Sequence, residues 1–492
     1  MIGGGLAGLS CAVALAEAGF RVRLLEKRPH LGGRATSYTL PDGSEVDNCQ
    51  HVTLGCCTNL ADFYRRVGAE RKIRFYDRLY FADARGRRSA IEASSLPPPL
   101  HMAPSFLCFD ALTLGDKNAI ARAMLAIARS GGNPPGSAGV SMLDWLHRME
   151  QTPGAIERFW RVILVSALDE ELARTDARYG IEVFWKAFLG SRQGYRLGIP
   201  SVPLAELYAG CREAVTKRGG EVRLRTGVRE IRVRENRFAG ALLEDGSSED
   251  ADACVAAVPH DVLLSMLPVE LIEEHPLLAG LRHLKTSPIT GVHLWFDRAV
   301  MAEPFLTLLD HTTQWIFNKS QLYAANETEA NGARPMKQWE AGARPASGVP
   351  GGQYLQLVIS ASYDLVPRSR QEIVELCLRE LTDVLPATRE AKVLKATVIK
   401  EINATFSPEP GVDRLRPAQK TPVKNFFLAG DWTSTDWPAT MEGAVRSGYL
   451  AAEAVLTSFG TPKTLLEPDL PLEGLSRFWA GRNRDGASQH GS

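Results

Sequence analysis

A chain of 492 residues is long enough for two or three domains with a substantial buried core, and 45% hydrophobic with 23% charged residues is globular rather than disordered composition. Lys+Arg and Asp+Glu both total 57, so no net field recruits nucleic acid or anionic lipid. The eight cysteines show neither a CxxC pair nor Cys/His metal spacing, and no apolar run reaches the ~20 residues that span a bilayer. A reduced chain without metal is therefore expected, cytoplasmic and either soluble or peripheral to the inner face of the membrane.

The first element is a glycine turn, Gly3, Gly5 and Gly8 in G-x-G-x-x-G spacing. Such a turn follows a strand of about five residues, and only Met1 and Ile2 precede it, so the strand is expected to begin upstream of Met1. Leu6 to Ala18 is alanine-rich and free of proline, which predicts a helix with Gly19 at its C-terminal cap. Arg21 to Glu26 then reads as a strand ending in an acid. The unit is βαβ, with Glu26 placed to accept hydrogen bonds from an adenosine ribose. A pyrophosphate must approach the backbone closely, hence no side chain at Gly3 or Gly5. The positive end of the helix favours its charge, and Gly8 lets helix and sheet pack closely.

Gly32, Gly33 and Arg34 come next. With them the chain resembles the FAD amine oxidase and phytoene desaturase superfamily. The resemblance implies FAD as cofactor and gives Arg34 a phosphate contact, for which a planar guanidinium is suited. Leu96 to Phe109 is proline-rich and expected to be irregular. Ala119 to Arg129 predicts an amphipathic helix with Arg122 and Arg129 on its polar side. It either shields the core or forms the mouth of an apolar tunnel that touches a membrane.

Arg225 to Ile231 reads as strand–turn–strand, with a partner in Ala253 to Pro259; in relatives the valine equivalent to Val228 clamps the adenine. Gly291 to Asp297, Gln314 to Asn318 and Gln353 to Ser360 are expected to be strands of one sheet, with a flexible insertion at 324–352. Asn425 to Asp431 is a short apolar strand ending in Gly430 and Asp431. The helix that follows carries an apolar stripe, Met441, Val445, Gly448, Ala452 and Val455, expected to face a sheet. The superfamily resemblance implies that Gly430 and Asp431 bind the ribityl or phosphate region. It also directs the helix start, Met441, Glu442 and Gly443, at the flavin ring, where partial positive charge favours reduction.

The expected fold is α/β. A Rossmann-like FAD-binding domain, discontinuous in sequence, takes roughly 1–75, 200–265 and 405–460; a mixed α+β substrate domain takes 76–199 and 266–404. A loosely attached tail at 461–492 completes the chain. No second dinucleotide motif is present, so the electron donor is left unidentified.

Asp47 to His51, Trp295 to Asp297, Gln314-Trp315, Gly430 to Thr433 and Trp437 to Gly448 resemble the hydroxysqualene dehydroxylases, also called squalene-associated FAD-dependent desaturases. That resemblance implies a hydrophobic isoprenoid substrate and reductive removal of an allylic hydroxyl in hopanoid biosynthesis. An acid would help the hydroxyl leave and reduced flavin would supply hydride. His51 is the candidate flavin-proximal acid, or else a histidine that holds a loop. Trp437 is an aromatic wall or a packing residue, and Glu442 contacts cofactor or caps its helix. Two positions depart from that family, which carries glycine at both: Cys49 and Asp436. Glycine there allows close approach or a positive φ, so Cys49 is expected to alter the loop that carries His51. Asp436 is a proton donor or faces solvent. The competing expectations are a carotenoid-type desaturase and a non-catalytic isoprenoid-binding protein like the Rab GDP-dissociation inhibitors.

Overall fold

The computed structural model describes residues 1–330 and 351–480. Most of the insertion expected at 324–352 and the final dozen residues lie outside the described residues. No helix among the described residues is long and apolar enough to cross a membrane.

Segments far apart in sequence build one parallel sheet. Its order is Glu221–Arg223, Arg23–Leu25, the single residue Ile2, Cys254–Ala256 and Phe426–Leu428. Both faces are covered, so apolar runs such as Phe426–Leu428 are buried throughout. The helices Leu6–Glu17 and Met441–Ser458 lie against one another beside it. They can cross closely because Gly448 has no side chain: a Cβ there would stand 2.1 Å from Ser10 Oγ and 2.3 Å from the Ala7 carbonyl oxygen. The C-terminal stripe therefore faces the first helix as well as the sheet.

Val228–Arg234 pairs with Arg237–Leu243, not with residues 253–259 as expected. The turn Glu235–Asn236, with both residues at positive φ, closes a tight hairpin. Cys254–Ala256 is instead drawn into the parallel sheet by Phe426–Leu428.

The other side of the molecule is organised by a seven-stranded sheet. It runs Val393–Phe406, Thr286–Phe296, Gln353–Ile359, Trp315–Asn318, Phe305–Leu308, Arg78–Ala82 and Arg88–Glu92. The three strands expected together are neighbours within it. Helical segments between 114 and 189 pack over this sheet, and two are π-helical, Ile156–Trp160 and Phe184–Leu189.

One ion pair ties the two sides together. Lys319 Nζ donates to Asp47 Oδ2 at 2.7 Å and to Gln50 Oε1 at 2.8 Å, and both charged side chains are wholly buried. Asp47 also accepts from Ser37 Oγ (2.7 Å), Leu204 N–H (3.0 Å) and Tyr323 OH (3.0 Å). Burial pushes the Asp47 pKa up, but Lys319 and the hydrogen bonds outweigh it and hold the carboxylate below its ordinary range.

Residues 464–480 are strapped down rather than loosely attached. The N–H groups of Leu465 and Leu466 donate to Glu453 Oε1, Asp469 pairs with Lys186 and Arg446 at 2.9 Å each, and Ser476 is fully buried. Chain ends are loose only where nothing ties them down, and here backbone and side-chain bonds do so.

Removing one partner of a buried pair leaves an uncompensated charge. Lys319→Met is expected to lower unfolding free energy by about 3–5 kcal/mol, measured by urea denaturation; Asp47→Asn should do the same, and the two losses should not add.

Candidate active site

Two cavities meet inside the protein. One is a slot of about 730 Å³ along the parallel sheet, and the other a cavity of about 580 Å³ under the seven-stranded sheet. Gln50, Val52, Ser166, Ala167, Ile289, Thr440 and Met441 line both, and so mark the junction.

The slot collects the N- and C-terminal motifs. Gly3, Gly5, Glu26, Gly32, Gly33, Arg34, Val228, Gly430, Asp431 and Met441 all line it. Gly3 has φ +99°, and a Cβ there would meet the Ala257 carbonyl oxygen at 2.5 Å. Gly8 lies outside the slot; a Cβ there would stand 2.0 Å from the Gly3 oxygen, so it permits the close packing expected of it. The Gly4 and Arg28 N–H groups donate to Glu26 (2.6 and 2.7 Å) and aim its carboxylate at the slot. Arg34 Nη2 donates to Asp431 Oδ1 at 2.7 Å, joining residues 397 positions apart.

The fit to FAD rests on these groups. Helix Leu6–Glu17 has no side-chain cap and no acid in its first turn, yet Gly5, Leu6 and Ala7 line the slot. Its first N–H groups therefore lack protein acceptors, which suits a pyrophosphate. His51 Nδ1 is buried without a partner on the same slot. A dinucleotide's phosphates, ribose and ring polar atoms match this donor and acceptor set.

His51 departs from expectation. Burial pushes its pKa down to about 4, so the ring is neutral near neutral pH, and it lines the slot rather than the cavity. It is a neutral group of the cofactor slot, not a protonated acid facing substrate. Trp437 lines the cavity, with the Lys186 ammonium 4.5 Å and the Arg446 guanidinium 5.5 Å from its ring centre. Its π system is thus already engaged by cations of the protein.

Asp436 is not part of the site. It is exposed, lines neither cavity and has φ +56°; that left-handed turn sends Trp437 inward and Asp436 out. Cys49 has φ +59°, so both positions for which the resemblance implied glycine adopt a left-handed conformation. Glu442 does not hold the cofactor. Its carboxylate accepts from the N–H groups of Asn59 (3.2 Å) and Leu60 (2.7 Å), and so caps the helix Thr58–Arg66 from outside. Gly443 lines neither cavity; a Cβ there would meet the Pro438 oxygen at 2.4 Å, so it allows the turn into the last helix.

Sequence reasoning missed Arg416. Fully buried, it donates to the carbonyl oxygens of Asp431 (3.1 Å), Thr433 (2.6 Å) and Trp437 (2.9 Å), and so shapes the loop that carries Asp431 and Trp437. Gln50, Ser166 and Ala167 were also missed as junction residues. The apolar spacing of the helix Arg161–Leu168 was the available signal for the last two.

The family model of flavin containing amine oxidoreductases matches residues 6–456. The 15-cis-phytoene desaturase of Solanum lycopersicum is 29% identical over 474 residues, 93% of this chain and 77% of its own. The zeta-carotene desaturase of Synechocystis sp. is 27% identical over 480 residues, 93% of this chain and 97% of its own. An oxidoreductase structure from Methanosarcina mazei gives a TM-score of 0.69 at 18% identity, covering 93% of this chain and 99% of that one. Cyclohexylamine oxidase from Brevibacterium oxydans gives 0.63 at 18% identity, with 93% and 98% covered. The fold is the one these structures share.

Two outcomes follow from the geometry. Arg416→Met leaves three loop carbonyls without their donor, and the purified protein should retain at most about a tenth of the bound flavin absorbance. For His51, the unfolded chain takes up a proton below the ordinary value of 6.5, while the folded chain resists until about 4. Stability is therefore full above 6.5 and lost as pH falls toward 4; thermal melting should show this slope, and His51→Gln should flatten it. Its motifs, its slot and the match to residues 6–456 agree: the chain belongs to the flavin-containing amine oxidoreductase family and is an FAD-dependent oxidoreductase.

Proposed function

We propose that this enzyme exchanges hydride between its flavin and a carbon of a long isoprenoid held in the apolar cavity, and that the reaction is reductive removal of the allylic hydroxyl of hydroxysqualene. The observation that carries the isoprenoid reading is the cavity that opens on the FAD slot. Its walls are residues such as Phe106, Phe159, Phe184, Phe188, Leu197 and Trp315. Such walls bind hydrocarbon through burial of apolar surface and keep water from the reacting carbon. The desaturases named above act on isoprenoid chains, which supports the same class.

Bound FAD supplies hydride chemistry. The protein's own residues set where it happens. Ala167 and Ile289 border both the cavity and the slot, where a chain in the cavity would meet the flavin. Gln50 and Ser166 put polar groups there. Gln50 Nε2 donates to the His51 carbonyl at 3.1 Å, and Ser166 Oγ accepts from Trp315 Nε1 at 2.7 Å. Each keeps hydrogen-bonding capacity to spare. A hydrocarbon offers these groups nothing, whereas a substrate hydroxyl does; this supports dehydroxylation, together with the resemblance over Trp437 to Gly448.

Desaturation is the second reading, favoured by the phytoene and zeta-carotene desaturase relatives. The two run the flavin in opposite directions. Under anaerobic conditions the pre-reduced enzyme with hydroxysqualene should yield squalene and oxidised flavin, while the oxidised enzyme should leave phytoene unchanged. Phytoene converted and hydroxysqualene untouched would select the second reading. In either case Ala167→Trp should fill the junction, retain FAD and lower kcat/KM at least about a hundredfold.

A further inference from the structure

We propose that Asp169 is a hydrogen-bond donor to the bound cofactor, delivered into the FAD slot from the substrate side of the protein. The inference rests on the FAD assignment and holds for either substrate.

Asp169 lines the slot and is 4% exposed. It is the cap residue that ends the helix Arg161–Leu168, just beyond Ser166 and Ala167 of the junction. It has φ +53°, a left-handed conformation that aspartate tolerates better than most side chains. That turn is fixed by the Asp169 N–H, which donates to the Val165 carbonyl at 2.9 Å.

Both carboxyl oxygens are already engaged as acceptors. Oδ1 accepts from the Ala361 N–H at 2.8 Å and Oδ2 from Thr405 Oγ1 at 2.9 Å. No cation among the described residues pairs with Asp169, unlike Asp47 with Lys319 or Asp431 with Arg34. The titratable groups that face it are Glu170, next along the chain, and Cys49 from the loop across the slot. Strand Val393–Phe406 and the segment after Gln353–Ile359 contribute only the Thr405 hydroxyl and the Ala361 N–H.

Three physical terms therefore act together on this group. Burial, the negative end of its own helix and the neighbouring Glu170 carboxylate all oppose ionisation. Burial comes first among them, and it holds the pKa well above the ordinary carboxylate value despite the two hydrogen bonds. A carboxyl that keeps its proton at neutral pH must donate it somewhere. Of its protein neighbours the Ala361 N–H can only donate, so the proton goes either to the Thr405 hydroxyl, which would then turn its own hydrogen away, or into the slot that the carboxyl lines. FAD brings carbonyl and ring-nitrogen acceptors there, and a neutral acid can serve them without adding negative charge beside a flavin that gains electrons.

The test compares native protein with Asp169→Asn and Asp169→Leu. Asn keeps a donor and an acceptor and is neutral, so it should stand in for the native acid. FAD affinity, followed by flavin fluorescence, should stay within about twofold in the Asn variant and weaken about tenfold in the Leu variant. The flavin midpoint potential should be unchanged by Asn and shifted by Leu. Native holoprotein at neutral pH should also show the infrared carbonyl band of an un-ionised carboxyl group, lost in Asp169→Asn. Absence of that band, or a midpoint potential raised by Asn, means that the carboxylate is ionised, and either overturns the proposal. Should the Leu variant fail to fold, the infrared band and the Asn potential decide alone.

Discussion

The Asp47–Lys319 pair is the contact on which the site depends. Asp47 ends a hairpin strand that begins near the FAD motifs, and Lys319 starts the helix after a strand of the substrate sheet. Between them hangs the loop that carries Cys49, Gln50 and His51, of which Cys49 and His51 line the slot and Gln50 lines both cavities. A charge pair without solvent contact is costly to form, and alone it adds little stability. What it supplies is position. Lys319 reaches Gln50 and Asp47 at once, so the loop sits in a single place relative to both cavities.

Around that anchor the protein separates two solvents. The slot is walled by glycines, N–H groups and charged side chains, and the cavity by aromatic and aliphatic ones. Few residues face both, and they come from four different segments: the 48–52 loop, the helix Arg161–Leu168, the strand Thr286–Phe296 and the start of the last helix. A polar cofactor in the slot and an apolar molecule in the cavity would then meet without either entering the other's environment. Neither wall is complete without segments several hundred residues apart, and Arg34 with Asp431 and Ser10 against Gly448 hold those segments together.

The parts of this arrangement that were legible in sequence are those in which a backbone shape demands a residue type. Gly3, Gly5 and Gly8 could be read because pyrophosphate and helix leave no room for a Cβ, and Glu26 because it ends a strand at fixed spacing. At Cys49 and Asp436 the implied glycine left two options open, close approach or a positive φ, and the backbone takes the second. What failed was direction. Asp436 and Glu442 flank Trp437 and Met441, and linear proximity to a flavin motif suggested chemistry. One turn geometry sends Asp436 to solvent, and the neighbouring helix start at Asn59 and Leu60 claims Glu442. Arg416 and Asp169 were missed because their roles arise wholly from tertiary placement: no spacing marks an arginine that will gather loop carbonyls, or an aspartate that will find no cation.

The two π-helical stretches in the cavity wall carry a consequence for how such enzymes diverge. Each holds one residue more per turn than an α-helix would, so aromatic and aliphatic groups from Phe159 and Phe184 to Phe188 and Leu189 are fanned toward the interior. A wall built this way can be re-cut in steps of one residue: gaining or losing a single position rotates everything downstream by about 100° while the redox end stays fixed. Chain length and branching of the substrate then become adjustable independently of the flavin, which suits a scaffold that has to accommodate many greasy molecules with one electron carrier.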